Sequence, residues 1–345
     1  MKNNGLNQNN ILLDVIGLKK CFPVTKGVFK KVVTQIKAVD NISFHIYKGE
    51  TLGLVGESGC GKTTTGRTVF RLIEPTDGKV FFNLNGKMID FAAIEQNQLK
   101  PYRRQMAIIF QDPYSSLNPR LTIRDIIGDP LIVHNVCKSR DLDRKVRDLL
   151  ALVGLQASYI NRYPHEFSGG QRQRISIARA LALNPKFIIA DEPVSALDVS
   201  VQAQVLNLLR DLQSEFNLTY LFIAHDLRVV EHISDRIVVM YLGKIVEVGD
   251  AEVICNTPKH PYTEALISAI PDIGKKQKSN RIILKGEVPS SMNFPPGCHF
   301  HPRCPYSQNI CSEEEPLLKE TEQGSQHYIA CHFFNKLNLK GGMFL

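Results

Sequence analysis

Gly56-Glu57-Ser58-Gly59-Cys60-Gly61-Lys62-Thr63 follows the apolar run Thr51–Val55 and opens a helical pattern. The string fits G-x-x-x-x-G-K-[ST], and its place between a strand and a helix is the context that makes the match specific. Glycines at these positions let successive backbone N–H groups turn into one concavity, and the following helix adds its positive N-terminal end. That concavity predicts a phosphate-binding loop. Lys62 supplies a point charge for β- and γ-phosphates, and the Thr63 hydroxyl suits Mg²⁺.

Outward from this loop, short apolar runs alternate with helical stretches from about residue 40 to 240, as in an α/β domain. Thr51–Val55, Ala107–Phe110, Phe187–Ala190 and Tyr220–Ala224 read as strands. Ile237–Met240 and Lys244–Val248 flank Tyr241-Leu242-Gly243, which predicts a hairpin. Between Asp112 and Ala182 strand signals give way to helical ones, so a helical subdomain is expected within the α/β core.

The chain has 345 residues, 43% of them hydrophobic, enough for two domains and a buried core. Lys and Arg number 42 against 34 Asp and Glu, a net charge of +8. Lys19, Lys20, Lys26, Lys30, Lys31, Lys37 and Lys48 form one basic cluster, and Lys275, Lys276, Lys278, Arg281 and Lys285 form another. Solvated surface is the plain reading of both, and contact near membrane headgroups the alternative. The best apolar runs are interrupted by Asn184, Pro185, Lys186 and Lys244, so no spanning helix is expected, and the N-terminal run Ile11 to Ile16, broken by Asp14, is too short and polar for a leader.

Phe187-Ile188-Ile189-Ala190-Asp191-Glu192 is an apolar strand that delivers two carboxylates to a sheet edge. Asp191 there suits Mg²⁺ and Glu192 suits a general base toward water. Ser168-Gly169-Gly170-Gln171, taken alone, is a loop with a Ser N-cap. Placed between a phosphate loop and an Asp-Glu strand, it resembles the signature of the ABC ATPases. The resemblance extends to Gln111 after its strand, to Ser195-Ala196-Leu197-Asp198 as the D-loop, and to His225 as the switch histidine. Phe167 stands where that family commonly has Leu, and Thr63 where Ser is common.

The resemblance implies an active ATP hydrolase with Glu192, His225 and Gln111 as catalytic residues. It implies Mg²⁺ at Thr63, Gln111 and Asp191, and ATP on Gly56, Glu57, Ser58, Gly59, Cys60, Gly61, Lys62, Thr63 and Thr64. Phe22 is the candidate for stacking on adenine, with core packing as its rival. Ser168, Gly169, Gly170 and Gln171 would serve the nucleotide of a second ATPase subunit packed head to tail. Cys60, at a permissive position, is assigned no catalytic role.

Cys298-x₅-Cys304-x₆-Cys311-x₁₉-Cys331 is a four-thiol set whose spacing leaves a metal site or inert thiols open. His299, His301, His327 and His332 are near it in sequence. Ile109 to Arg120, His260-Pro261-Tyr262-Thr263, and Gly286 to Pro305 are similar to the ATPase subunits of bacterial dipeptide/oligopeptide importers, of the F type in the usual D/F pair. That similarity implies a [4Fe-4S] cluster on the four cysteines, with zinc as the alternative. The expected organisation is a P-loop ABC ATPase core over residues 1–256, a mixed sheet with helices and a helical subdomain over about 112–182. A small Cys-rich C-terminal extension follows over residues 257–345.

The partners so implied are a second ATPase subunit, in a heterodimer or homodimer, two transmembrane permeases and an extracytoplasmic peptide-binding protein, with no nucleic acid. Tyr114 and Leu117 are expected at the permease contact, and the chain at the cytoplasmic face of the membrane. A nickel or other small-solute importer is the alternative. An ABC ATPase acting on DNA or ribosomes is disfavoured, since those usually carry two cassettes or a long coiled coil.

Overall fold

Two long strands, β1 (Ile11–Lys26) and β2 (Lys31–Tyr47), precede the phosphate-loop strand β3 (Thr51–Val55). The computed structural model describes residues 10–26, 31–270 and 282–342. Lys30, Lys275, Lys276, Lys278 and Arg281 of the two basic clusters lie outside the described residues. The chain divides into two units, one of Met1–Ile46, Thr51–Ala93 and Ala224–Leu345, the other of Tyr47–Glu50 and Ile94–Ile223.

In the first unit β4 (Asp77–Leu84) and β5 (Lys87–Asp90) complete a four-stranded sheet of order β2-β1-β4-β5. β1 runs antiparallel to β4, with Leu13 opposite Phe82 and Val15 opposite Val80. All four side chains are buried on one face, whereas the other face of β1 is mixed, with Leu12 buried and Ile16 exposed. The sequence reading started its strands near residue 40 and missed β1. Lys19-Lys20 interrupts its apolar pattern, and its partner strand lies about sixty residues further on.

The second unit holds three parallel strands, β6 (Met106–Ile109), β7 (Phe187–Asp191) and β8 (Thr219–Ile223). Met106 pairs with Phe187, which pairs with Thr219. β7 and β8 are buried along their whole length, which is why they read as unbroken apolar runs. Between β6 and β7 lie the helices Pro113–Ser116, Ile123–Val133, Ser139–Leu152 and Gly169–Leu181. Leu142, Val146 and Leu150 recur every fourth residue and are buried, the stripe that packs the third of them inward. The Val199–Phe216 helix links β7 to β8 and stops at Asn217, whose φ of 50° gives a left-handed cap.

In the first unit β3 pairs in parallel with β9 (Arg236–Tyr241), which forms an antiparallel hairpin with β10 (Lys244–Asp250). Its turn residues, Leu242 and Gly243, have φ of 43° and 79°, matching the right-handed twist of the strands they join. β11 (Lys319–Glu320) and β12 (Tyr328–Ile329) extend the sheet beyond β10. The sheet is therefore mixed, parallel at β3/β9 and antiparallel from β9 onward. Among the described residues no helix is long and apolar enough to cross a membrane.

Candidate functional site

In the first unit the phosphate loop fills the turn between β3 and the Lys62–Val69 helix. A Cβ on Gly56 would stand 2.2 Å from the Met240 carbonyl oxygen, and one on Gly61 2.1 Å from that of Ala38. Both positions admit only glycine, because backbone cannot step aside as a flexible side chain does. The β9–β10 turn braces the loop, Gly243 N–H donating to the Cys60 carbonyl at 2.9 Å. Lys62 is only 4% exposed, and its Nζ donates to the carbonyls of Gly56 (2.7 Å) and Glu57 (2.9 Å). Carbonyl oxygens orient the ammonium without cancelling its charge, which leaves it suited to an anion.

The Cys60 thiol is buried 3.8 Å from that ammonium, and burial pushes its pKa up, so it stays protonated near neutrality. Thr63 and Thr64 lie half-buried in the first turn of the helix. His225 is exposed between β8 and the Leu227–Ile233 helix. Phe22 is half-buried on β1 with Lys20 Nζ 5.0 Å from its ring centroid, so a cation covers one face of the ring.

In the second unit β7 ends on Asp191, which is 1% exposed, and Glu192 follows it directly. Glu192 has φ of 47°, the left-handed region that side chains other than Gly and Asn rarely occupy. Gln111 Nε2 donates to Glu192 Oε2 at 3.0 Å, which brings two of the expected catalytic residues together across 81 positions of sequence. Ser195 Oγ donates to the Glu192 carbonyl at 3.1 Å. Asp198 caps the Val199–Phe216 helix by accepting the Val201 N–H, and bonds from Ser200 and that N–H hold its carboxyl below the usual range.

Ser168 and Gln171 form a capping box: Ser168 Oγ accepts the Gln171 N–H (3.4 Å), and Gln171 Oε1 accepts the Ser168 N–H (3.0 Å). The box squares off the N-terminus of the Gly169–Leu181 helix, with Ser168 exposed and its N–H groups at the positive end of the dipole. A Cβ on Gly170 would meet Val201 Cγ1 at 2.4 Å. Arg172 donates to the Pro164 carbonyl at 2.7 Å and stacks 3.9 Å from the Tyr114 ring, tying the segment after Gln111 to this helix. Tyr114 is 61% exposed, whereas Leu117, expected beside it at a partner surface, is 1% exposed and packs inward.

The C-terminal segment brings Cys298, Cys304, Cys311 and Cys331 onto the lining of one small cavity. Burial raises three of these thiols, Cys298 to about 11, Cys304 to about 12 and Cys331 in the same direction, and charge on the neighbouring cysteines adds to the rise. Among the described residues no group of three or more His, Cys, Asp or Glu side chains is arranged to hold a metal ion. The thiols are gathered, yet they are not set as a ligand shell. Of the nearby histidines, His301 and His332 line the same cavity, with His301 Nδ1 3.0 Å from the Cys298 carbonyl and His332 Nε2 2.9 Å from the Glu314 carbonyl, whereas His327 Nε2 lies 2.8 Å from Glu247 Oε1.

Two contacts on the phosphate loop escaped the sequence reading. Tyr262 Oη accepts the Glu57 N–H at 2.8 Å, and Arg303 donates to both carboxylate oxygens of Glu57. His260-Pro261-Tyr262-Thr263 marks the first only as a string of family likeness. Nothing local signals the second, because Glu57 fills a permissive position and its partner lies 246 residues on.

The family described as "ABC transporter" matches residues 39–195, and that described as "Oligopeptide/dipeptide transporter, C-terminal region" matches residues 246–311. The oligopeptide transport ATP-binding protein AppF of Bacillus subtilis is 54% identical over 95% of this chain and 99% of its own length. The dipeptide transport ATP-binding protein DppF of Haemophilus influenzae is 48% identical over 95% of this chain and 98% of its own. Among solved structures, the dimeric ATP-binding cassette MJ0796 in a post-hydrolysis state with ADP and Pi superposes with a TM-score of 0.60 at 28% identity. It covers 70% of this chain and 99% of the cassette. With a phosphate loop built on glycines that nothing else can replace, and relatives alike along nearly their whole length, this chain belongs to the ATP-binding subunits of the oligopeptide/dipeptide ABC transporters.

Proposed function

We propose that this chain binds ATP with Mg²⁺ and hydrolyses it to drive peptide import, as one of two ATPase subunits beneath two transmembrane permeases at the cytoplasmic face of the membrane. The observation that carries this reading is the joint match of an ABC ATPase region and an oligopeptide-transporter C-terminal region in one chain. Relatives named for oligopeptides and dipeptides favour peptides over nickel or another small solute, and the names AppF and DppF favour the F-type role. A separate extracytoplasmic binding protein would deliver the peptide. Residues 1–256 would form the nucleotide-binding domain, with a helical subdomain over about 112–182, and residues 257–345 the C-terminal domain.

Backbone N–H groups of the phosphate loop over residues 56–64, other than that of Glu57, hold the phosphates, and Lys62, released from its two carbonyls, neutralises them. Thr63, Asp191 and Gln111 hold Mg²⁺, Glu192 accepts a proton from the attacking water, and His225 senses the γ-phosphate. Phe22 stacks on adenine. Ser168, Gly169, Gly170 and Gln171, with the D-loop Ser195-Ala196-Leu197-Asp198, address the nucleotide of the partner. Uptake of a labelled peptide by the reconstituted transporter tests the whole reading. It should require ATP and stop on Glu192→Gln; uptake that persists in this variant refutes the assignment.

The four cysteines match a [4Fe-4S] cluster in number and donor chemistry, with zinc as the alternative. Metal would have to displace the protons that burial holds on Cys298, Cys304 and Cys331, and the four side chains, not set as a ligand shell, would have to rearrange on binding. Bound there, the cluster would supply cross-linking of the segment or one-electron chemistry. Anaerobic purification should yield about four iron atoms per chain and a brown protein; a colourless, zinc-loaded product overturns the cluster.

A further inference from the structure

Arg303 stands one residue before Cys304, and its side chain reaches from the cysteine segment to the phosphate loop. Nη1 donates to Glu57 Oε2 at 2.8 Å and Nη2 to Oε1 at 3.2 Å, while Nη1 also approaches Tyr241 Oη at 3.4 Å. The Arg303 side chain is 9% exposed and that of Glu57 27%, so the pair is sheltered from water. Two parallel bonds between planar groups set direction as well as distance, which one ammonium cannot do.

A second tie runs beside it. The Glu57 N–H donates to Tyr262 Oη, and Tyr262 packs with Tyr241 and Phe300 in a buried aromatic cluster with ring centroids 4.7 to 5.4 Å apart. Phe300 lines the same cavity as the four cysteines. On the loop side the Glu57 carbonyl accepts from Lys62 Nζ at 2.9 Å. Glu57 is thus held through its carboxylate and its N–H by the C-terminal segment, and through its carbonyl it meets the lysine that faces phosphate.

We propose that Arg303 is a positioning residue for ATP binding, clamping Glu57 so that the phosphate loop and the four-cysteine segment act as one coupled body. It rests on the ATP-binding reading above. Coupling of two sites is reciprocal, so an ordered cysteine segment strengthens ATP binding by the factor by which ATP protects the segment.

The test titrates a fluorescent ATP analogue with Mg²⁺ onto the full-length chain and its variants, and follows maleimide labelling of the four cysteines with and without saturating ATP. Arg303→Gln should raise the Kd about 10-fold, within the usual range of site coupling. Arg303→Lys should recover part of this, and the double variant with Glu57→Gln should be no weaker than Arg303→Gln alone. In the assembled transporter KM for ATP should rise with kcat changed less than about two-fold. ATP should slow labelling in the wild-type chain and fail to slow it in Arg303→Gln.

An unaltered Kd in Arg303→Gln overturns the proposal, including the case in which faster labelling shows that the cysteine segment has opened. A weaker Kd with nucleotide protection intact also overturns it, since Arg303 would then be structural only. Wild-type chain that binds no ATP defeats the parent reading as well, whereas normal wild-type binding with an unaffected variant defeats this one alone.

Discussion

Glu192 combines a left-handed backbone with an acid side chain, and a residue so placed costs about 1–3 kcal/mol relative to glycine. The conformation turns the chain out of β7 and leaves the carboxylate within reach of Gln111 at 3.0 Å. Glu192→Gly should therefore raise stability by about 1 kcal/mol in urea unfolding while hydrolysis falls about 10²-fold or more, the opposite signs expected of strain kept for function. A stability loss would mean that the side-chain contact outweighs the backbone strain. Gly61 gives the converse case. A methyl group there meets the Ala38 carbonyl oxygen at 2.1 Å, at a φ of 107° that alanine avoids. Gly61→Ala should destabilise the chain by more than about 2 kcal/mol and abolish ATP binding, read from the urea midpoint and from nucleotide titration.

At the scale of elements, the Pro261–Ser268 helix begins on a buried histidine. His260 is 1% exposed, its Nδ1 accepts the Tyr262 N–H at 3.1 Å, and burial lowers its pKa from the ordinary 6.5 to about 3. As pH falls below 6.5 the unfolded chain takes the proton first, so this group's stability is full above about pH 7 and is lost toward pH 3. About 2 kcal/mol should disappear between pH 7 and pH 5 from this site. His45, lowered to about 4 by burial and the Arg236 charge, adds in the same direction. His260→Asn keeps a capping acceptor and should flatten part of the slope, seen in urea midpoints at the two pH values. An unchanged slope would place the titration elsewhere. Such elements differ in how far sequence exposes them. β7 and β8 were legible because strands buried on both faces are unbroken apolar runs, and the N-cap at Ser168 because a Ser before a helical run marks it locally, although its reciprocal bond with Gln171 was not read. β1 was not, since an edge of charged residues masks its alternation. The Arg303–Glu57 and His327–Glu247 pairs were illegible for a different reason: each joins residues 80 or more positions apart, and neither residue is remarkable in its own neighbourhood.

For the whole molecule, the arrangement of the signature decides what a functional assembly must look like. Ser168 is exposed at the squared-off N-terminus of a 13-residue helix, an anion-seeking end whose Ser and Gln side chains already satisfy each other. The phosphate loop belongs to the other unit and carries its own lysine, so each chain has one of each device. If the two serve different nucleotides, as the proposed head-to-tail pairing requires, their dependence on point variants separates cleanly. A photoreactive ATP crosslinked to Ser168→Cys in the assembled transporter should survive Lys62→Ala in the same chain. It should vanish when the phosphate-loop lysine of the partner is removed, and when this chain is studied alone. Labelling that follows Lys62 of the same chain would instead mean that both devices act on one nucleotide, and the subunits would then hydrolyse ATP independently of their pairing.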